Sequence, residues 1–200
     1  MKNTKDLLMQ AAAKLMRETG YAGMTTAAVA RLAQVSEGTI YRYFPSKEAL
    51  AESVFADTWN LFIQYMEAHL PPREMPVDRL EAFLPVTIAA LDALMPKYGD
   101  LSRQEHLYFA SKHSGCASLP PGCRDYVALL EEAIRLAKDA GRVRKEIDPA
   151  VAAAFFFFGT GDLMDLYGDV HCIDRTGPRI PENIQEQLNL LMRGALYGEK

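Results

Sequence analysis

One short stretch of the chain concentrates side chains that can bind a nucleic acid: Thr39, Tyr41, Arg42 and Tyr43. Ile40 and Phe44 lie four residues apart on one side of a predicted helix, so the polar side chains point elsewhere. Two tyrosines beside an arginine are unusual on a surface that meets only water. Because arginine can donate two parallel hydrogen bonds to O6 and N7 of guanine, this stretch favours contact with duplex DNA.

The residues around this stretch predict a helix-turn-helix, in which the second of two short helices lies in the DNA major groove. Thr25 is a favourable N-cap for the first helix, and Ser36 is one for the second. Pro45 ends the second helix because a residue that precedes proline is pushed out of the α region. Ser46 then caps the next helix. The motif therefore spans residues 25–47.

The motif resembles the N-terminal signature of the TetR family of transcriptional regulators. The resemblance covers about the first quarter of the chain and is carried by Gly20, Tyr21, Thr25, Val35, Ser36, Gly38 to Tyr41, Tyr43, Phe44 and Ser46 to Leu50. One departure is Gln34, where the family usually has glycine at the turn. A left-handed backbone at Gln34 would cost about 1 kcal/mol relative to glycine.

The resemblance implies a division of roles on DNA. Arg42 reads a base, and hydroxyl or ammonium groups contact backbone phosphates from Thr39, Tyr41, Tyr43 and Lys47. Thr25 adds a phosphate bond at the start of its helix. The predicted DNA-binding set is Thr25, Ser36, Gly38, Thr39, Tyr41, Arg42, Tyr43 and Lys47.

Charge is distributed unevenly along the sequence. Residues 1–50 hold seven Lys/Arg and four Asp/Glu, residues 51–200 hold fifteen and twenty-two, and the net charge is −4. The basic end is the end with the motif, although so small a surplus is weak support for DNA binding by itself. With 49% hydrophobic and 24% charged residues, the chain has the composition of a folded globular protein rather than a disordered one.

The N-terminus carries Lys2, Lys5, Asp6 and Lys14 among its apolar residues, so no signal peptide is predicted. No stretch reaches the roughly 18 apolar residues that a membrane span requires. We therefore expect a cytoplasmic protein. Three cysteines without a close pair fit reduced thiols better than a disulfide framework: Cys116, Cys123 and Cys172.

Neither a metal nor a cofactor is predicted, because tight ligand spacing is lacking among His106, His113, Cys116, Cys123, His171 and Cys172.

The sequence has no phosphate-binding glycine loop, HExxH or GxSxG motif, so we expect no enzymatic activity. The alternative is an all-α small-molecule-binding protein or enzyme with an incidental helix-turn-helix. The titratable cluster that comes nearest to supporting this alternative is Asp162, Asp165 and Asp169. Their spacing is explained more simply as the solvent-exposed face of a helix.

Apolar periodicity predicts helices throughout and no strand. The predicted helices are Thr4 to Thr19 with Asn3 as cap and Gly20 as stop, Ser46 to Leu70, Val77 to Tyr98 with a kink at Pro85, Leu101 to Lys112, Arg124 to Ala140, Pro149 to Gly168, and Pro181 to Tyr197. The fold class is all-α. A three-helix DNA-binding domain, residues 1–47, is joined by the long Ser46 to Leu70 helix to a helical ligand-binding and dimerisation domain, residues 48–200.

The resemblance implies a small-molecule pocket in the second domain. Most aromatic and methionine side chains of a domain belong to its core. The candidate ligand contacts among those of the second domain are Trp59, Phe62, Tyr65, Met66, Phe83, Tyr108, Phe109 and Phe155. The last helix presents an apolar stripe as a candidate dimer interface: Ile184, Leu188, Leu191, Met192 and Ala195. With the helix before it, this stripe predicts a four-helix bundle between two copies. The expected function is a homodimeric repressor that a small-molecule effector releases from a double-stranded DNA operator.

Overall fold

The computed structural model describes residues 3–112, 121–157 and 184–197. Within these ranges the chain forms helices and no strand, which confirms the all-α prediction. The helices are α1 (Thr4–Gly23), α2 (Thr26–Leu32), α3 (Glu37–Tyr43), α4 (Lys47–His69), α5 (Pro76–Lys112), α6 (Pro121–Asp139), α7 (residues 149–157) and α8 (Ile184–Tyr197). The remainder of the predicted 149–168 helix and residues 181–183 lie outside the described ranges.

The chain divides into two compact units. The first unit comprises Met1–Phe62 and Leu94–Gly122, and the second comprises Ile63–Ala93 and Cys123–Lys200. Both α4 and α5 are therefore shared between the units. A second helix, α5, therefore joins the units in addition to the long helix that the sequence predicted. The predicted domain boundary after residue 47 stays a prediction.

Hydrogen bonds to cap residues begin several of these helices. Asn3 Oδ1 accepts from the N–H of Lys5 at 3.1 Å, and Asp148 Oδ1 accepts from that of Val151 at 3.0 Å. The hydroxyl oxygens of Thr25 and Ser46 accept from backbone N–H groups three residues later, each at 3.1 Å. These contacts satisfy donors that a helix start leaves unpaired. The caps predicted at Asn3, Thr25 and Ser46 are confirmed.

Ser36 differs from the other caps. Its backbone is extended, as at an N-cap, but its side chain makes no capping hydrogen bond. Instead, its hydroxyl pairs with the Thr39 hydroxyl at 2.8 Å. Ser36 is therefore the N-cap residue of α3, as predicted, but its hydroxyl pairs with Thr39 and does not bond a backbone N–H.

Two residues of the first unit adopt positive φ at places that the sequence indicated. Gly20 interrupts α1 with φ 71° and ψ 170°, in agreement with its predicted role as a stop. Gln34 has φ 56° at the turn between α2 and α3. A side chain with a Cβ rarely adopts this conformation, so the turn of the motif carries a small strain.

Gln34→Gly is expected to raise the free energy of unfolding by up to about 1 kcal/mol, because glycine adopts positive φ without a Cβ clash. Urea unfolding of the variant and the wild type measures the difference. Gln34→Ala retains the clash and should give no gain. If the alanine variant gained as much as the glycine variant, backbone strain at the turn would not be the cause.

One helix, α5, replaces the two that were predicted on either side of residues 99–100. It also runs through Pro85, where a kink was expected. A single interior glycine costs only about 1 kcal/mol in a helix, and burial of the apolar surfaces of Leu101 and Tyr108 offsets that cost. Helix α6 begins at Pro121 rather than Arg124, since proline suits the first helical position, where no N–H is needed.

The core of the first unit fixes the recognition motif in place. It contains buried apolar side chains from α1 to α5, among them Leu8, Met16, Val29, Ile40, Phe44, Leu50, Phe55, Leu101 and Tyr108. Burying such side chains contributes about 1.5 to 3 kcal/mol each. The short α3 is therefore held by tertiary packing rather than by its own helical propensity.

Candidate DNA-binding surface

Helix α3 separates its buried and exposed sides as the sequence predicted. Ile40 and Phe44 are buried in the core of the first unit. Tyr41 is 52% exposed and Tyr43 is 37% exposed, although both are large aromatic residues. Arg42, between them, is also exposed. The structure therefore leaves three predicted DNA-contact residues exposed on α3.

Arg42 is positioned by its neighbour. Its guanidinium carbon lies 5.4 Å from the centroid of the Tyr43 ring, within the range of a cation–π contact. An arginine that already rests on a ring loses less side-chain freedom when it binds a base edge. The contact therefore favours Arg42 as a preorganised donor on this face.

The start of α3 is tied to α2 by residues that the sequence did not single out. The Thr26 hydroxyl donates to a carboxylate oxygen of Glu37. This hydrogen bond joins the first helical turns of α2 and α3. It therefore helps to fix the direction of α3 relative to α2. The sequence shows a threonine and a glutamate near the starts of two predicted helices. It does not show that they form a hydrogen bond, because that depends on the angle between the helices.

Lys47, at the start of α4, rests on an aromatic ring. Its Nζ lies 4.3 Å from the centroid of the Tyr21 ring and donates to the carbonyl oxygen of Ala22 at 3.4 Å. The Tyr21 hydroxyl in turn donates to Oε1 of Glu48 at 2.9 Å. The ammonium group is therefore held beside the end of α1 rather than left free in solvent.

The predicted ligand contacts are divided between the two units. Trp59, Phe62, Tyr108 and Phe109 belong to the first unit, whereas the second unit holds Tyr65, Met66, Phe83 and Phe155. The Nε1–H of Trp59 donates to Oε2 of the buried Glu105 at 2.7 Å, and its ring is 5.6 Å from that of Phe62. Glu105 was missed, although its spacing from Leu101 and Tyr108 places it on the buried face of α5.

The core of the second unit contains a polar pair. Burial raises the pKa of Tyr126 to about 12, and its hydroxyl lies 3.2 Å from that of Thr87. The Thr87 hydroxyl also bonds the carbonyl oxygen of Phe83 at 2.8 Å. The Phe83 ring stands edge-on to Tyr126 at 5.5 Å, and the Phe157 ring is 5.8 Å away. Of this group, only Phe83 was among the candidate ligand contacts.

A shallow groove of about 410 Å³ runs along α6, lined by Asp125, Ala128, Leu129, Glu131, Glu132 and Arg135. The Arg73 guanidinium donates to Glu132 at 3.0 Å and holds the pKa of that carboxyl below its usual range. None of the predicted ligand contacts lines this groove.

Within the described ranges, no group of three or more His, Cys, Asp or Glu side chains could hold a metal ion, and Cys123 is buried. The other histidines and cysteines singled out, and the three aspartates, lie outside the described residues or side chains. No helix in the described part of the chain is long and apolar enough to cross a membrane.

The apolar stripe on α8 is partly exposed and partly packed. Leu191 is 67% exposed, while Met192 is buried within the single chain. Ala195 is exposed, and the side chains of Ile184 and Leu188 lie outside the described part. Helix α8 is held within the second unit by Arg193, which donates to Oε1 of Glu81 at 3.0 Å.

Comparison with known proteins matches the motif region. The family model for bacterial regulatory proteins of the tetR family matches residues 8–54. The fatty acid metabolism regulator protein of Bacillus subtilis (strain 168) is 32% identical over 73 residues, which cover 36% of this chain and 38% of that protein. The chain thus spans less than half the length of the curated relatives that it matches.

Solved structures match the fold over nearly the whole chain. The fatty acid degradation regulator FadR from Bacillus halodurans has a TM-score of 0.67 and 20% identity, over 97% of this chain and 96% of that one. AibR, solved in complex with isovaleryl coenzyme A and operator DNA, has a TM-score of 0.57 and 21% identity, over 99% and 100%. The helix-turn-helix at residues 25–47 thus lies within the segment that matches the tetR family model, and the chain shares its all-helical fold with these solved structures.

Proposed function

We propose that the protein is a ligand-responsive transcriptional regulator, a repressor that binds operator DNA as a homodimer. The observation that carries the proposal is the exposed face of α3, where Tyr41, Arg42 and Tyr43 project from a helix anchored by buried Ile40 and Phe44. A helix so anchored presents its polar face as a rigid unit to the major groove.

Gly38 supports this use of the α3 face. A Cβ built at Gly38 meets no heavy atom within 4 Å, so the free protein has room for a side chain there. A small residue at this position leaves the start of α3 open to close approach by a phosphate or a base edge. Together with Thr39 and Lys47, it belongs to the surface that we assign to the DNA backbone, with Arg42 as the base reader.

Exposed apolar side chains of the second unit support the homodimer. On α8, Leu190 and Leu191 are exposed, and on α7 so are Val151 and Phe155. Large apolar residues grouped on two helices favour burial against another protein surface. We assign this surface to a second copy, because a two-fold dimer presents two copies of α3 to a two-fold operator.

For the effector we propose a small molecule that carries an apolar acyl group, and acyl compounds are the first to test. A relative is named a fatty acid metabolism regulator, and a structural neighbour was solved with isovaleryl coenzyme A. The candidate ligand contacts in this chain are aromatic and methionine side chains, which suit the apolar part of a ligand. Release of DNA requires that the effector bind the two protein arrangements with different affinity.

The function is tested by selecting duplexes from a random-sequence library with the wild-type protein and titrating the enriched duplex with and without acyl-coenzyme A compounds. We expect a two-fold symmetric site and weaker binding in the presence of one compound class. Turnover of a compound with no effect on DNA binding would instead favour an all-α enzyme with an incidental helix-turn-helix.

Trp59 emission should report on the effector. It is the only tryptophan, and its indole N–H is bonded to Glu105, so displacement of that bond changes its surroundings. A compound that releases DNA is expected to shift Trp59 fluorescence, and Trp59→Phe should alter the response to the compound before it alters DNA binding. A compound that leaves DNA bound is the control. Release of DNA with unchanged emission and an unaltered Trp59→Phe response would place the ligand site elsewhere.

A further inference from the structure

A hydrogen bond between residues that are 83 positions apart joins α5 to the interrupted end of α1. Gly20 turns the backbone of α1 with φ 71°, and Oε1 of Gln104 accepts the N–H of the next residue, Tyr21, at 3.1 Å. A Cβ built at Gly20 would lie 3.4 Å from the same oxygen. Glycine therefore supplies the turn, and the Gln104 amide packs at contact distance from this position.

Tyr21 connects this bond to the start of α4. Its ring stands edge-on to the Tyr108 ring at 4.8 Å, and its hydroxyl donates to Glu48 at 2.9 Å. The Nζ of Lys47 lies over the same ring at 4.3 Å. The backbone of Tyr21 is thus held from α5, while its side chain holds the residue that we assign to a DNA phosphate.

We propose that Gln104 is a positioning residue for DNA binding: it holds Tyr21, and Tyr21 holds Lys47 where the ammonium group meets the phosphate backbone. The inference rests on the proposed function. Helix α5 is continuous from Pro76 to Lys112, and its part up to Ala93 belongs to the second unit. A rotation or shift of α5 that begins in the second unit therefore reaches Lys47 through Gln104, by a route separate from α4.

The test uses two variants of Gln104 in the full chain. Gln104→Met keeps the length of the side chain but removes the acceptor, whereas Gln104→Glu keeps an acceptor oxygen. Each is titrated against the duplex enriched by the wild type, at several salt concentrations. Gln104→Met is expected to lose about two- to tenfold in affinity and about one unit of salt slope, because one phosphate contact is displaced. Gln104→Glu should keep the wild-type slope.

Combination with Lys47→Ala separates positioning from general destabilisation. Once Lys47 is absent, Gln104→Met should cause no further loss, since both changes remove the same contact. Ser53→Ala is the matched control, because it deletes a 2.7 Å side-chain hydrogen bond to the Ala49 carbonyl within the same unit. It should leave the slope unchanged. Amide hydrogen exchange over residues 20–24 should rise in Gln104→Met but not in Gln104→Glu.

The outcomes distinguish this inference from the function on which it rests. If the double variant shows additive losses, or if Gln104→Met keeps the wild-type slope, the inference is overturned and the proposed function stands. If the wild type itself binds no duplex in a salt-dependent manner, the proposed function fails and the inference fails with it.

Discussion

Arg42→Ala is expected to lose about 1 to 3 kcal/mol of binding free energy at one operator position and to relax the base preference there, because a bidentate contact to guanine is removed. Lys47→Ala should weaken binding to all sequences alike and lower the salt slope by about one unit. Binding isotherms on the enriched duplex and on a scrambled duplex, at several salt concentrations, distinguish the two effects.

Lys14→Ala is the matched control for these variants. Lys14 carries the same charge in the same unit but forms an exposed ion pair with Glu18 at 3.8 Å and lies outside the assigned DNA surface. It should keep most of the operator affinity and the wild-type base preference. Equal losses on both duplexes from Arg42→Ala and Lys47→Ala would remove Arg42 as a base reader.

Leu191→Glu is expected to convert the dimer into a folded monomer. Leu191 is 67% exposed in the single chain, so the substitution should cost the monomer little. In a dimer that buries this position, an unpaired carboxylate costs several kcal/mol. A monomer spans one half-site only, so it should lose most of its operator affinity although α3 is intact.

Sedimentation of the variant, beside its thermal melt by circular dichroism, measures this prediction. Met75→Glu is the matched control, since Met75 is also an exposed apolar residue but lies between α4 and α5 and is not part of the α8 stripe. It should remain dimeric. If Leu191→Glu sedimented as a dimer of unchanged stability, the interface would lie on another surface.

Met192 shows why the interface residues could not all be read from periodicity. Helical spacing places Met192 beside Leu191 on the last helix, and both were assigned to the dimer. In the structure, Met192 is buried within its own chain while Leu191 faces outward. Apolar spacing indicates which side of a helix avoids water, but it does not say which neighbour covers that side.

The sequence by itself determined the features that depend on residues close together in the chain. The caps at Thr25 and Ser46 each bond a backbone N–H three residues later, and Gln34 adopts positive φ at the motif turn. The exposed face of α3 follows from the spacing of Ile40 and Phe44. Such features involve one turn of helix or one tight turn, where residue type sets the available hydrogen bonds and dihedral angles.

The tertiary structure alone decided which distant residues meet. The spacing of residues along α5 gives no sign that Gln104 bonds Tyr21 or that Glu105 bonds Trp59. The same is true of α5 as a single helix shared by both units, where packing of Leu101 and Tyr108 outweighed a local glycine. These contacts depend on the angles and positions at which the helices cross. The crossing geometry is determined by many small packing interactions throughout the core.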